Sequence, residues 1–185
     1  MILIVFSHPY THRSHANKSI LDEIVKNEHV HISNLYEKYP DFHINVLEEQ
    51  ALLRQAKLII FQFPIYWYNV PALFKQWQEV VLTRQFALGD KSQIQTQALK
   101  GKPVMAVVTT GHKQQSYQKE GFDNYTLEDF LRPLEQMSIH CGMDYHPPLV
   151  LHQAHRSTSD ELTQFSHLYN QRINQLYESL EHHYD

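Results

Sequence analysis

Runs of consecutive apolar residues alternate along the chain with stretches whose apolar positions recur every three or four residues. Residues 1–6 (M-I-L-I-V-F) are apolar throughout, as a strand covered on both faces is, and a polar loop follows over residues 7–17. A 3.6-residue period then opens at Ala16, Ile20, Leu21 and Ile24 and predicts a helix over residues 17–26. Residues 30–34 alternate and read as an outer strand, residues 35–42 as a turn-rich loop, and residues 48–56 as a helix with no proline or glycine to break it. Residues 57–63 predict a second central strand, stopped at Pro64 because proline cannot continue a central ladder. Pro71 is placed as the first residue of a helix with Leu73, Trp77, Val80 and Val81 on its apolar face. Residues 83–97 show no period and read as a long loop. Pro103 leads into a third central strand over 104–108. Thr126 caps a helix with Leu127, Phe130, Leu131, Leu134, Met137, Ser138 and Cys141 on one face, and Gly142 closes it. Residues 143–151, through Pro147-Pro148, supply the fifth strand. Thr158 and Glu161 form a T-x-x-E box that opens a last helix, with Leu162, Phe165, Tyr169, Ile173, Leu176 and Leu180 in register. Residues 181–185 read as a polar tail.

The order β-α-β-α-β-α-β-α-β-α predicts an α/β three-layer sandwich, a parallel sheet with helices on both faces. Five strands predict the flavodoxin-like order 2-1-3-4-5, with a ligand outside the carboxyl ends of the strands near the switch point. Those ends are residues 7–17, 64–71 and 109–117. No repeat or linker interrupts the pattern, so residues 1–185 are expected to form a single domain with a sizeable core.

Composition narrows the chemistry. A net charge of −4 without basic blocks points away from nucleic acid. A lone cysteine, Cys141, rules out an intramolecular disulfide and fits a reducing, cytoplasmic setting; its place on an apolar helix face makes it a packing residue. Residues 1–6 are too short for a signal-peptide core, and no apolar run approaches the ~18 residues that span a bilayer. The 5 glycines, at 89, 101, 111, 121 and 142, have spacings that exclude G-x-G-x-x-G, the P-loop and the G-x-S-x-G elbow. A nucleotide held by this chain has to be held by Ser, Thr, Asn and His. Among the 14 histidines, neither the group His8, His12 and His15 nor the pair His152 and His155 has helical i, i+4 spacing with a carboxylate partner, so no metal site is expected.

Three loops meet at the predicted crevice. The first offers His8 and then Ser14, His15, Ala16 and Asn17 at a helix start, where free N–H groups and the helix dipole suit a phosphate; protonated His8 would add a charge-assisted contact. Ser14 and Asn17 as simple helix caps are the alternative. The second loop, Pro64, Ile65, Tyr66, Trp67 and Tyr68, can stack rings on an isoalloxazine, or else belong to the core or a dimer interface. The third, Thr109, Thr110, Gly111 and His112, gives small side chains and free N–H groups at a strand exit.

Taken together, Ser7-His8-Pro9 with Ser14-His15-Ala16-Asn17, Tyr39-Pro40-Asp41-Phe42, Gln62-Phe63-Pro64-Ile65-Tyr66-Trp67-Tyr68 and Thr109-Thr110-Gly111 resemble the flavodoxin-like NAD(P)H:quinone oxidoreductases. The resemblance runs on through Leu131-Arg132-Pro133-Leu134 and Cys141-Gly142-Met143 to Pro147-Pro148. Within that family it is strongest to the ancillary flavoproteins of glutathione-gated potassium efflux systems. It implies a non-covalent flavin, FMN or FAD, and a homodimer with the active site at the subunit interface. It also implies ping-pong hydride transfer from NAD(P)H through the flavin to a quinone. By position, His8 and residues 14–17 hold the phosphate end, residues 65–68 and 109–112 surround the ring, and Tyr117 hydrogen-bonds substrate or reduced flavin. It offers a second role, a regulatory subunit docked on a potassium/proton antiporter at the inner membrane face. A mildly acidic chain is a poorer match to a purely electron-shuttling flavodoxin. Two positions depart from the family pattern: His112 stands where a second glycine is usual, and Asp123 stands six residues after Tyr117, where mammalian members have a histidine.

Overall fold

Strand β1 (Ile2–Phe6) is buried at all five positions. It pairs in parallel with β2 (Val30–Asn34) on one side and β3 (Leu58–Pro64) on the other; β4 (Pro103–Thr109) and β5 (Asp144–Leu151) extend the sheet in the order 2-1-3-4-5. The structure is a computed structural model that describes residues 1–10, 12, 14–89 and 97–181. Part of the loop expected over 83–97, and most of the polar tail, lie outside the described residues.

Because successive side chains of a strand point to opposite faces, β1 divides its apolar run between two cores. Leu3 and Val5 pack with Leu53, Phe61, Phe74, Trp77 and Leu131 beneath the helices α2 (Leu35–Lys38), α3 (Val46–Gln55), α4 (Ala72–Val81) and α6 (Leu127–His140). Ile2, Ile4 and Phe6 pack with Ile20, Ile24, Phe165, Tyr169 and Ile173 beneath α1 (His15–Ile24) and α7 (Ser159–Glu181).

Several boundaries differ from expectation for local reasons. Helix α1 begins two residues early because Ser14 caps it, its side chain accepting the Asn17 N–H. Residues 35–38 make one helical turn inside the expected loop. Within the stretch expected to be aperiodic, the Thr83 side chain caps a short α5 (Arg84–Leu88), which buries Phe86 and Ala87. Pro64 is the last residue of β3 and not a break in it. It pairs with Thr109, and the Ile65 N–H, one residue on, donates to the Thr109 carbonyl at 2.9 Å, so the missing proline donor falls at the strand's end. On edge strand β5, Pro147 and Pro148 fall within a register shift opposite Met105 to Val107, where a ladder can spare their N–H groups. Gly142, at φ +77°, ends α6 in a Schellman turn, with the Gly142 N–H on the Ile139 carbonyl and the Met143 N–H on the Ser138 carbonyl.

Two polar anchors tie the layers together. Lys102, at the start of β4, donates to the carbonyls of Leu53, Arg54 and Ala56 at 2.9, 2.7 and 2.6 Å and so closes the end of α3. Glu49, fully buried on α3, accepts from Lys38 (2.6 Å), Tyr39 (2.8 Å), Ser33 (3.0 Å) and Trp77 (3.0 Å), joining β2, α2, α3 and α4. Burial opposes charge on Lys38, but hydrogen bonds to Glu48 and Glu49 outweigh it and hold the ammonium above its ordinary range. Burial and Glu49 together push the Tyr39 phenol up to about 12. Both folded values lie above the unfolded values near 10, so this contribution to stability is complete below about pH 10 and is lost as pH rises through 12. Glu49→Gln, which leaves Lys38 paired with Glu48 alone and removes the charged acceptor of Tyr39, Ser33 and Trp77, is expected to lower unfolding free energy by about 2 kcal/mol in urea titrations. The alkaline loss of stability should be shallower in the variant, and equal slopes would show that the network does not carry it.

Candidate functional site

The carboxyl ends of β1, β3 and β4 enclose a cleft of about 670 Å³, a size ordinary for a cofactor site. His8, Ser14, His15, Ala16 and Asn17 line it from the first loop, Pro64, Ile65 and Tyr66 from the second, and Thr109, Thr110 and Gly111 from the third. It also takes Tyr10, and Ala154, His155 and Ser157 from beyond β5, which the sequence reading did not assign. The signal for these last three was available: β5 opens at the same edge as the other strands, and the His152/His155 pair marked its exit. Four expected residues, Trp67, Tyr68, His112 and Tyr117, do not line this cleft.

At the β1 end the chain is arranged to leave groups for a ligand. Ser14 spends its Oγ on the Asn17 N–H (3.3 Å) and its carbonyl on the Lys18 N–H (3.1 Å), which leaves the first-turn amides of His15 and Ala16 at the positive end of α1. The buried Asn17 amide donates to Ser14 Oγ at 3.0 Å and reaches Thr109 Oγ1 at 3.5 Å, linking the first loop to the third. Its Oδ1 is buried with no hydrogen-bond partner among the described residues. A buried acceptor left unmatched is costly unless something else donates to it. His8 is buried, and its Nδ1 accepts the Tyr10 N–H at 3.0 Å. Burial lowers its pKa, so the ring is held neutral with Nε2–H as its donor. A charge-assisted contact from His8 is thereby disfavoured.

The second loop departs most from the expected stack of rings. Tyr66 and Asn69 exchange backbone hydrogen bonds at 3.0 Å around Trp67 (φ +47°) and Tyr68 (φ +63°), a tight turn with both central residues left-handed. That reversal turns the two side chains away from the cleft. Trp67 is 93% exposed, and Tyr68 packs against Phe130 at 5.0 Å. Only Tyr66 stays, edge-on to His8 at 6.1 Å; burial raises its pKa, and Tyr10 and Tyr36 add to the rise, so it is a neutral wall.

The third loop is bound to the end of β5. The Thr110 N–H donates to the Leu151 carbonyl (3.0 Å), and its hydroxyl donates to the His112 carbonyl (2.9 Å) beside His152 Nδ1 (3.1 Å). Tyr117 lies behind this loop, buried, with its ring on His152 (5.6 Å) and Phe130 (6.3 Å). Burial raises its pKa, opposed by the Thr110 hydroxyl, so it remains a protonated phenol. Burial lowers that of His152. Among the described residues no group of three or more His, Cys, Asp or Glu is placed to hold a metal, and Cys141 is buried.

With sheet order and cleft in place, the class follows: residues 1–173 match the family described as flavodoxin-like fold, and the chain belongs to it. Among its relatives, the glutathione-regulated potassium-efflux system ancillary protein KefF of Klebsiella pneumoniae is 39% identical over 173 residues, covering 94% of each chain. KefG of Cronobacter sakazakii is 39% identical over 168 residues, covering 91% of this chain and 89% of the relative. Of solved structures, general stress protein 14 of Treponema denticola in complex with FMN superposes with a TM-score of 0.86 at 32% identity over 95% of this chain and 98% of the other. An NADPH-quinone reductase from P. pentosaceus gives 0.83 at 32% identity over 93% and 96%.

Left-handed backbone at an exposed tryptophan is strained by about 1–3 kcal/mol and has no packing to offset it. Trp67→Gly is therefore expected to raise thermal stability, by about 0.5–1 kcal/mol after the entropy of glycine is charged against it. A lower melting temperature would show that the turn is not strained.

Proposed function

We propose that this protein is a flavin-dependent NAD(P)H:quinone oxidoreductase that binds FMN non-covalently in the cleft. The observation that carries the reading is the buried Asn17 Oδ1 beside the free first turn of α1: an unmatched acceptor next to an anion-binding helix end. The ribityl phosphate of a flavin presents both partners, hydroxyl donors for Asn17 and an anion for the amides of His15 and Ala16, with Ser14 and His8 lining the cleft beside them. Pro64, Ile65, Tyr66, Thr109, Thr110 and Gly111 then flank the ring. The FMN complex of the Treponema relative and the quinone reductase from P. pentosaceus support the assignment. FMN is favoured over FAD because the Treponema relative, 32% identical, carries FMN.

When bound, the flavin supplies a two-electron carrier that accepts a hydride from NAD(P)H and yields it to a quinone in a ping-pong cycle. The protein's part is to hold the ring, exclude water and supply hydrogen bonds. Tyr117 is assigned the hydrogen bond to substrate or reduced ring, delivered from behind Thr110. A homodimer in the cytoplasm completes the reading.

Purified protein incubated with FMN is expected to show a flavin spectrum, to bleach anaerobically with NADPH or NADH, and to recover with a quinone. Protein that binds neither FMN nor FAD would sink the proposal. Tyr117→Phe should lower turnover several-fold with flavin retained; full activity in that variant would remove its catalytic role.

A second reading rests on the 39% identity to KefF and KefG: a regulatory subunit docked on a potassium/proton antiporter, with redox activity secondary. Among the described residues no helix is long and apolar enough to cross a membrane, so attachment would be through the partner. Deleting the gene separates the two: loss of gated potassium efflux favours the second, and unchanged efflux with loss of quinone turnover favours the first.

A further inference from the structure

His112 and Asp123, eleven residues apart in the chain, meet in space. His112 Nδ1 stands 3.0 Å from each carboxylate oxygen of Asp123, whose side chain is fully buried while the imidazole is 46% exposed. Both ends are fixed. The Thr110 hydroxyl and the Gln153 N–H donate to the His112 carbonyl at 2.9 and 3.2 Å, and the Asp123 N–H donates to the Ser116 carbonyl at 3.0 Å. Phe122 stands edge-on to the imidazole at 5.2 Å. An acceptor-only carboxylate on Nδ1 takes that nitrogen's proton in a hydrogen bond, so Nε2 is the nitrogen that exchanges protons with its surroundings.

That nitrogen belongs to a ring at the mouth of the cleft. His112 lines a shallow depression with Lys113, Gln153 and Arg156, and this depression meets the main cleft at Gly111 and His155, which line both. The titratable and charged groups around it are Lys113 from its own loop, His155 and Arg156 from the turn after β5, Tyr117 and His152 behind, and Tyr68 across Asp123. Of the carboxylates, Asp123 is matched by His112 and the Tyr68 hydroxyl, and Glu128 acts on His152 behind the loop, so an oxygen gaining negative charge at this rim faces Lys113, His155 and Arg156.

We infer that His112, oriented by Asp123, is the proton donor to the quinone oxygen. The inference rests on the flavin-reductase reading above. Reducing a quinone to a hydroquinone takes two electrons and two protons. The hydride from the reduced flavin brings both electrons and one proton, which leaves one oxygen anionic. The imidazolium Nε2–H of His112 breaks as the O–H bond to that oxygen forms, and the neutral ring, with Nδ1–H still on Asp123, regains a proton from solvent at Nε2. Asp123 is a positioning residue: it sets the tautomer and balances the imidazolium.

The test has two arms. In flavin-free protein, long-range ¹⁵N–¹H spectra are expected to show neutral His112 as the Nδ1–H tautomer, converting largely to Nε2–H in Asp123→Asn and Asp123→Ala while other histidine signals stay in place. An Nε2–H tautomer in the wild type, or no change in either variant, overturns the dyad. In the flavin-loaded protein, His112→Gly is expected to be reduced by NADPH at the wild-type rate but reoxidised by a quinone at least ~10-fold more slowly, with free imidazole restoring the rate. Reoxidation at the wild-type rate, or slow reoxidation that imidazole does not restore, overturns the proton-donor role alone. Wild-type protein that NAD(P)H does not reduce overturns the flavin reading, and this role with it.

Discussion

The site exists because the sheet is parallel. Every strand runs the same way, so every polar exit falls on one edge; the connection leaving β1 leads to β2 on one side, and the one leaving β3 leads to β4 on the other. The crevice at that divide is unavoidable, and what the chain controls is its lining. Complete burial of β1, β3 and β4 makes their registers rigid, because a one-residue slip would move each strand's apolar set to the wrong core. Asn17 shows the result: a helix side chain meets Thr109, 92 residues away, without either loop having to search for the other.

Much of this was legible in the chain, and the reasons are specific. Apolar runs of five to seven residues declared the central strands, and the Thr126 cap and the Thr158 box declared two helix starts, because each pattern has one economical physical solution. The family resemblance then led to the cleft, and 11 of the 15 assigned site residues do line it: His8, Ser14–Asn17, Pro64–Tyr66 and Thr109–Gly111. The other four lie outside it for different reasons. Trp67 and Tyr68 sit at left-handed backbone positions that aromatic residues rarely adopt, so their composition promised a stack that their geometry refuses. Tyr117 was placed by its spacing from the loop, which says nothing of depth. His112 looked like a loss, a side chain where a glycine is usual, and only three-dimensional proximity gives it Asp123 as a partner. Neither Lys102 nor Glu49 announced itself at all, since a hydrogen-bonding hub depends on distant partners and not on local pattern.

The polar groups follow a consistent division. At the β1 end an anion would meet backbone amides, a serine, an asparagine and a neutral histidine, so binding there draws on oriented dipoles that burial does not discharge. Among the described residues, charged donors are found instead beyond Gly111, where Lys113 and Arg156 join His112 at an exposed rim. Dipoles suffice for a ligand whose charge is constant. A group whose charge changes during a reaction needs a neighbour that can exchange a proton, and that neighbour must remain in contact with solvent to recover it. Half-exposed His112 on fully buried Asp123 meets both conditions, whereas the buried rings of His8 and Tyr117 meet neither. In the proposed reading, exposure therefore separates the groups that hold the cofactor from the one that serves its acceptor.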